Sequence, residues 1–218
     1  MDKVAEQEWI LKLNELKQTM QKNEFEVYIA ENKSAAKAIV LEKIIPTSQP
    51  NSISYGDSET FRSTGLYHHL KASSKYNFIE IFDGVNRTNS EWIEFARPNH
   101  IVDLYITGTN AVTEQGALVN LDMFGNRVGG ITFGPREVII MVGRNKIVSD
   151  LKSAMEKIRK YTAPKNAVRL QTDTPCAKTG ECMSCKSPGK ICRIWTIVES
   201  SFPKNKIKVI LINEVLGI

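Results

Sequence analysis

All four cysteines of this 218-residue chain fall in one short stretch: Cys176, Cys182, Cys185 and Cys192. They read C-x5-C-x2-C-x6-C, interrupted by Gly180, Pro188 and Gly189. Two residues between Cys182 and Cys185 let both sulfurs reach one ion from a single tight turn, so the spacing predicts a metal site. The flanking gaps match neither a zinc ribbon nor a ferredoxin run, which leaves a tetrahedral zinc site and an iron–sulfur cluster equally open. Reduced thiols or a redox disulfide pair are the plainer alternative. Residues 160–193 carry seven Lys/Arg against Asp173 and Glu181, a surplus equal to the whole chain's net charge of +5. Positive neighbours favour thiolate over thiol and offset the charge of a four-thiolate site. No aromatic residue interleaves with these cations between Thr162 and Ile194. Base stacking has no platform there, so nucleic acid is not an expected partner.

A second set of residues could hold a ligand. Between two apolar segments runs Thr107–Asp122, continuing through Gly125-Asn126-Arg127 to Gly134-Pro135. Strand connections are ordinarily two to six residues, so this one is functional, an inserted hairpin, or both. Its polar residues Thr109, Asn110, Thr113, Asn120, Asp122, Asn126 and Arg127, with Gly116, are the candidate ligand-binding set. Glu114 is the candidate general base or nucleophile, or else a turn residue paired with Arg127. An earlier turn, Gly56-Asp57-Ser58, runs from a strand into a helix. Gly56 and Ser58 there could cradle an anion, although simple N-capping by Ser58 accounts for the residue as well. His68, His69 and His100 make no chelating arrangement. Without a Gly-x-Gly-x-x-Gly run, a Walker sequence or a Gly-x-Ser-x-Gly elbow, no nucleotide cofactor or serine hydrolase chemistry is expected.

These residues need a scaffold. Trp9, Leu13, Leu16 and Met20 form one apolar stripe and predict a helix over about 3–22, docked on the domain or used in homo-oligomer formation. From Phe25 strands alternate with helices: strands at 25–30, 52–55, 76–82, 101–106, 138–142, 193–198 and 206–213, and an extra strand at 117–121. Helices are expected at 34–45, ended by Pro46, from 58 to 70, at 90–95, at 126–133, and from a Ser149 cap to Pro164. The continuous apolar runs Ile101–Ile106 and Val138–Val142 suit strands buried on both faces. The expected fold class is therefore α/β: an open, mostly parallel sheet with helices on both faces. One domain spans 1–218, with an N-terminal helical segment at 1–22 and the cysteine-rich segment at 171–193.

The composition is globular, with 42% apolar and 24% charged residues. No apolar run approaches bilayer length, and the start MDKVAEQEW lacks an apolar signal region. With its unpaired cysteine cluster, the chain is expected in a reducing cytoplasm.

Several blocks, in order, resemble the LUD, or lactate-utilisation, domain family. They are Gly-Thr-Asn-Ala-Val-Thr-Glu-Gln-Gly-Ala-Leu-Val-Asn (108–120), Gly-Asn-Arg-Val (125–128), Phe-Gly-Pro (133–135) and Gly-Arg-Asn-Lys-Ile-Val (143–148). Ala-Pro-x-Asn-Ala (163–167) and Thr-Pro-Cys-x-Lys-Thr-Gly-x-Cys-x-x-Cys (174–185) are similar to its short-chain members with a C-terminal four-cysteine motif. The resemblance implies the fold shared by ribose-5-phosphate isomerase, glucosamine-6-phosphate deaminase and CoA transferases. It also implies an accessory part in lactate-to-pyruvate oxidation, with a small anionic or phosphorylated ligand and iron–sulfur oxidoreductase partner proteins. Two alternatives stand beside it: an independent enzyme acting on a sugar phosphate or CoA thioester, and a non-catalytic, metal-dependent regulatory module. Sugar-phosphate isomerases of that superfamily carry aspartate where this chain has Asn110, and an amide cannot act as a general base. The larger lactate-utilisation proteins carry double Cys-x2-Cys-x2-Cys runs, which are absent here.

Overall fold

A computed structural model describes residues 3–218; Met1 and Asp2, within the expected N-terminal segment, lie outside the described residues. Its centre is a six-stranded, wholly parallel sheet. The strands are β1 (Glu26–Ala30), β2 (Ser52–Tyr55), β3 (Asn77–Phe78), β4 (Leu104–Gly108), β7 (Glu137–Gly143) and β10 (Ile207–Ile212). They lie in the order β1-β10-β7-β4-β2-β3. A second sheet of four strands, in the order β8-β5-β6-β9, is built from β5 (Ala111–Thr113), β6 (Leu118–Asp122), β8 (Ile147–Val148) and β9 (Ile194–Val198).

The apolar runs of β4, β7 and β10 are buried because both sheet faces are covered. Side chains alternate between faces along each strand. Ile139, Met141, Ile210 and Ile212 pack on one side. Val138, Ile140, Val142, Val209 and Leu211 pack on the other. The first face is covered by α2 (Lys33–Ile39), α3 (Ile45–Ser48), α4 (Glu59–Ser63) and α5 (Leu66–Ala72). The second carries α1 (Lys3–Lys22), whose Leu13, Leu16 and Met20 are buried, and the β5–β6 hairpin through Val112 and Leu118. Each of those three α1 side chains contributes about 1.5–3 kcal/mol by leaving water, which fixes the helix to the domain. The remaining helices are α6 (Asn89–Ala96), α7 (Asn126–Thr132), α8 (Leu151–Lys157), α9 (Ala163–Arg169) and α10 (Pro175–Thr179). Among the described residues, no helix is long and apolar enough to cross a membrane.

Four expectations are corrected. Pro46 does not end its helix: a π turn at Val40–Ile44 joins α2 to α3, and Pro46 lies in the first turn after it. Pro164 likewise follows a π turn, Ile158–Thr162, which joins α8 to α9 into one helical rod over 151–169. In both, the N–H entering the new segment bonds a carbonyl five residues back (Ile45 to Val40, Ala163 to Ile158). The widened turn relieves the clash a proline ring makes with the preceding turn. Asp150, not Ser149, caps α8, its carboxylate accepting from the Ser153 N–H at 2.7 Å. Finally, 193–198 does not join the main sheet: β9 runs antiparallel to β6, which is paired with it through five residues.

Candidate functional site

The carboxyl ends of β2, β4 and β7, adjacent in the main sheet, open into a cavity of about 440 Å³. Ligands in open α/β sheets bind at such strand ends. Of the residues singled out in the sequence, Ser58, Thr109, Asn110, Asp122, Asn126 and Arg127 line it. Gly56, Thr113, Gly116, Asn120 and Glu114 do not.

Gly56 supports the site from behind. A Cβ there would lie 2.5 Å from Tyr105 Oη and 2.9 Å from Arg127 Cγ, so only glycine lets β2 end this close to the Arg127 stem. Ser58 caps α4 by accepting from the Phe61 N–H at 3.2 Å. Thr113 Oγ1 and Gly116 close the β5–β6 turn. Glu114 projects from that turn, 45% exposed, and pairs with Lys12 of α1 at 2.6 Å. Neither general-base chemistry in the cavity nor a pairing with Arg127 follows from that position.

Arg127, from the first turn of α7, clasps the hairpin. Its Nη1 donates to Gly108 O (3.2 Å) and Asn120 Oδ1 (2.6 Å), and its Nη2 to Asn110 Oδ1 (3.0 Å) and Leu121 O (3.4 Å). Its Nε faces Asp122 Oδ2 at 3.2 Å. Guanidinium has five N–H donors, and here each has an acceptor within the protein. Asn110 is similarly occupied: Oδ1 also accepts from the Leu121 N–H at 2.9 Å. The Asn110 amide thus holds strand and arginine together.

The acidic first loop is neutralised from α9. Arg169 donates to Asp57 and to Glu59 (3.1 Å), while its Nε holds Asn166 Oδ1 at 2.9 Å. Arg62 also faces Asp57 at 3.6 Å. This strap could not be read from the sequence, because its partners are more than a hundred residues apart.

Three features of the cavity were not singled out in the sequence. The first is Lys146, just beyond β7: it is 5% exposed, lines the cavity, and donates from Nζ to Thr109 O at 3.0 Å. No ion pair is formed by this ammonium among the described residues. Burial pushes its pKa down to about 7, helped by the positive charges of Arg127 and Lys157 and opposed by Glu59. The second is Thr162, in the π turn between α8 and α9. It is 4% exposed, lines the cavity, and its Oγ1 has no hydrogen-bond partner among the described residues. The third is an aromatic wall: Trp92 packs against Phe124 at 5.1 Å between ring centroids and against Phe82 at 5.9 Å. Gly-Arg-Asn-Lys (143–146), following an apolar strand, was the signal that could have found Lys146.

The four cysteines border a second, much smaller cavity of about 20 Å³, together with Arg159, Ala163, Pro164 and Lys190. All four are free thiols and partly buried. Thr174 Oγ1 lies 3.3 Å from Cys176 Sγ. At Cys192 burial raises the pKa, with Cys182 and Cys185 adding to it, while the positive Lys190 and Arg159 act in the thiolate's favour. Four sulfurs on one cavity suit a thiophilic ion. Among the described residues, no three His, Cys, Asp or Glu side chains are drawn together as a formed metal site, so the four sulfurs would have to close in on any ion they bound.

The two cavities share a wall. Along the rod, Thr162, Asn166 and Arg169 face the large cavity, while Arg159, Ala163 and Pro164 face the cysteines. Along the returning chain, Ile191 faces the first, and Lys190 and Cys192 the second.

The sequence profile of the LUD domain matches residues 13–212. The chain belongs to the LUD domain family. Among solved structures, it is similar to a DUF162 family protein from Deinococcus radiodurans, with 11% identity and a TM-score of 0.53 over 94% of this chain and 98% of that one. That likeness bears on the fold alone. No match was found among curated protein sequences.

Proposed function

We propose that this LUD-family chain is an accessory component of lactate-to-pyruvate oxidation that binds a small anionic ligand in the 440 Å³ cavity. The observation carrying this reading is Lys146, a buried amine at the carboxyl ends of the parallel strands with no carboxylate partner among the described residues. Arg127 and Lys157 add positive potential around it, while Arg127's own donors are already occupied. An incoming carboxylate would find a cation still lacking a counter-charge and a free hydroxyl on Thr162.

Cys176, Cys182, Cys185 and Cys192 are the residues that would hold a metal or cluster. Such a group would supply either a structural crosslink, as zinc, or a one-electron carrier, as an iron–sulfur cluster. Arg159 and Lys190 would offset the charge of the thiolates. The proposed partners are iron–sulfur oxidoreductases.

Two experiments test the reading. Calorimetric titration with L-lactate and pyruvate is expected to show saturable binding to one site, weakened by Lys146→Met. Deletion of the gene is expected to slow growth on lactate but not on glucose. Absence of binding by either acid, together with unimpaired growth on lactate, would overturn it.

A further inference from the structure

We infer that Lys146 is a nucleophile that forms an imine with the carbonyl carbon of a ligand bound in the large cavity. This assigns the cavity to small aldehydes and ketones, and it rests on the preceding reading only in taking a 2-oxo acid as the natural member of that class.

Geometry carries the inference. The other cations lining the cavity are committed to protein partners: Arg87 to Asp83, Arg127 to Asp122 and four further acceptors, Arg169 to Asp57 and Glu59. Lys146 alone among them has a carbonyl oxygen, Thr109 O, as its one hydrogen-bond partner among the described residues. Such a contact persists when the amine is neutral, because a neutral amine still donates, and it leaves the nitrogen lone pair available. Arg127 from α7 and Lys157 from α8 face it, with Glu59 of α4 the opposing charge, and the amine is neutral in a large fraction near pH 7. Desolvated lysines beside other cations are a recognised way of activating this nucleophile.

The step balances without a redox partner. The Nζ lone pair attacks the carbonyl carbon, the C–N bond forms, and the carbonyl electron pair moves to oxygen. Both amine protons end on that oxygen, which leaves as water as the C=N bond forms. Thr162, whose hydroxyl lines the same cavity without a partner, can hold an oxygen of the ligand while this happens.

The test uses the wild-type chain. Protein is incubated at pH 7 with sodium cyanoborohydride and either pyruvate or glycolaldehyde, then digested and mapped by mass spectrometry. The reduced adduct is expected on Lys146 in at least one arm, at least about tenfold above any exposed lysine, because an ordinary lysine is almost wholly protonated at pH 7. Pyruvate-selective labelling supports the 2-oxo acid; glycolaldehyde-selective labelling supports the imine with a non-acidic carbonyl ligand. Lys146→Arg, which keeps a cation and a donor for Thr109 O, must lose the adduct while its circular dichroism remains that of the wild type. Labelling confined to exposed lysines in both arms overturns the inference. If calorimetry finds pyruvate bound and no adduct forms, the imine falls and the binding reading stands. If Lys146 is labelled while growth on lactate is unaffected by deletion, the imine stands and the lactate reading falls.

Discussion

Replacing Lys146 by methionine should make this protein more stable near neutral pH, and the gain should vanish as the solution becomes alkaline. The unfolded chain binds a proton at this lysine up to about pH 10.5, whereas the folded protein releases it near 7. Between those values the unfolded state holds more protons, so wild-type stability rises with pH across this window and is at its full penalty below pH 7. At about 1.4 kcal/mol per pH unit, the penalty at its full extent is about 5 kcal/mol. Methionine fills a similar volume without the amine, but it leaves Thr109 O without a donor, at a cost of about 1–3 kcal/mol. The variant should therefore gain about 2–4 kcal/mol at pH 7 and lose about 1–3 kcal/mol near pH 10.5, relative to wild type. Urea denaturation at several pH values between 6.5 and 10.5 measures this difference directly, and other titrating groups cancel between the two proteins. If the two stability curves run parallel from pH 7 to 10, Lys146 carries its proton in the folded state and the reasoning about this amine is wrong.

Other perturbations have distinct signatures. Thr162→Val removes an unpartnered hydroxyl, so stability should hold or rise by up to about 1 kcal/mol while ligand affinity in calorimetry falls; weakened folding with intact affinity would contradict the assignment. Arg127→Met should destabilise by about 3–5 kcal/mol in denaturant, since it strands Asp122 without its partner. Glu114→Gln breaks an exposed pair with Lys12, so its effect on melting should stay below about 1 kcal/mol and ligand affinity should not change. Anaerobic purification followed by metal analysis and a visible spectrum should give either brown protein with iron and sulfide or colourless protein with one zinc. Metal-free protein under anaerobic conditions would reduce the cysteine cavity to a set of thiols.

The parallel sheet was legible because β4, β7 and β10 must be apolar along their whole length to lie between two covered faces. The polar connection after β4 stood out as a candidate site because it is too long and too hydrophilic to be a simple turn. What Arg127 does within it was not, since a guanidinium committed to five acceptors of its own chain looks in sequence like one reserved for a ligand. Lys146 was missed for the complementary reason: Gly-Arg-Asn-Lys after an apolar strand marks a strand end, but the burial of its lysine comes from packing by distant segments. The prolines misled in another way. Each was read as a helix stop, and each is accommodated by a π turn whose wider backbone has no pattern of its own in side-chain periodicity.

The rod over 151–169 has a consequence beyond its shape. Its π turn puts Thr162 in one compartment, and its neighbours Arg159, Ala163 and Pro164 in the other. An occupant of the cysteine compartment that shifts this rod changes the free energy of binding in the other, and thermodynamic reciprocity then requires the effect to be equal in both directions. A carboxylate that binds more tightly when the thiols are ligated must, by the same factor, help the thiols retain their ion. A chelator therefore becomes a reporter for the larger compartment, and the metabolite a reporter for the smaller.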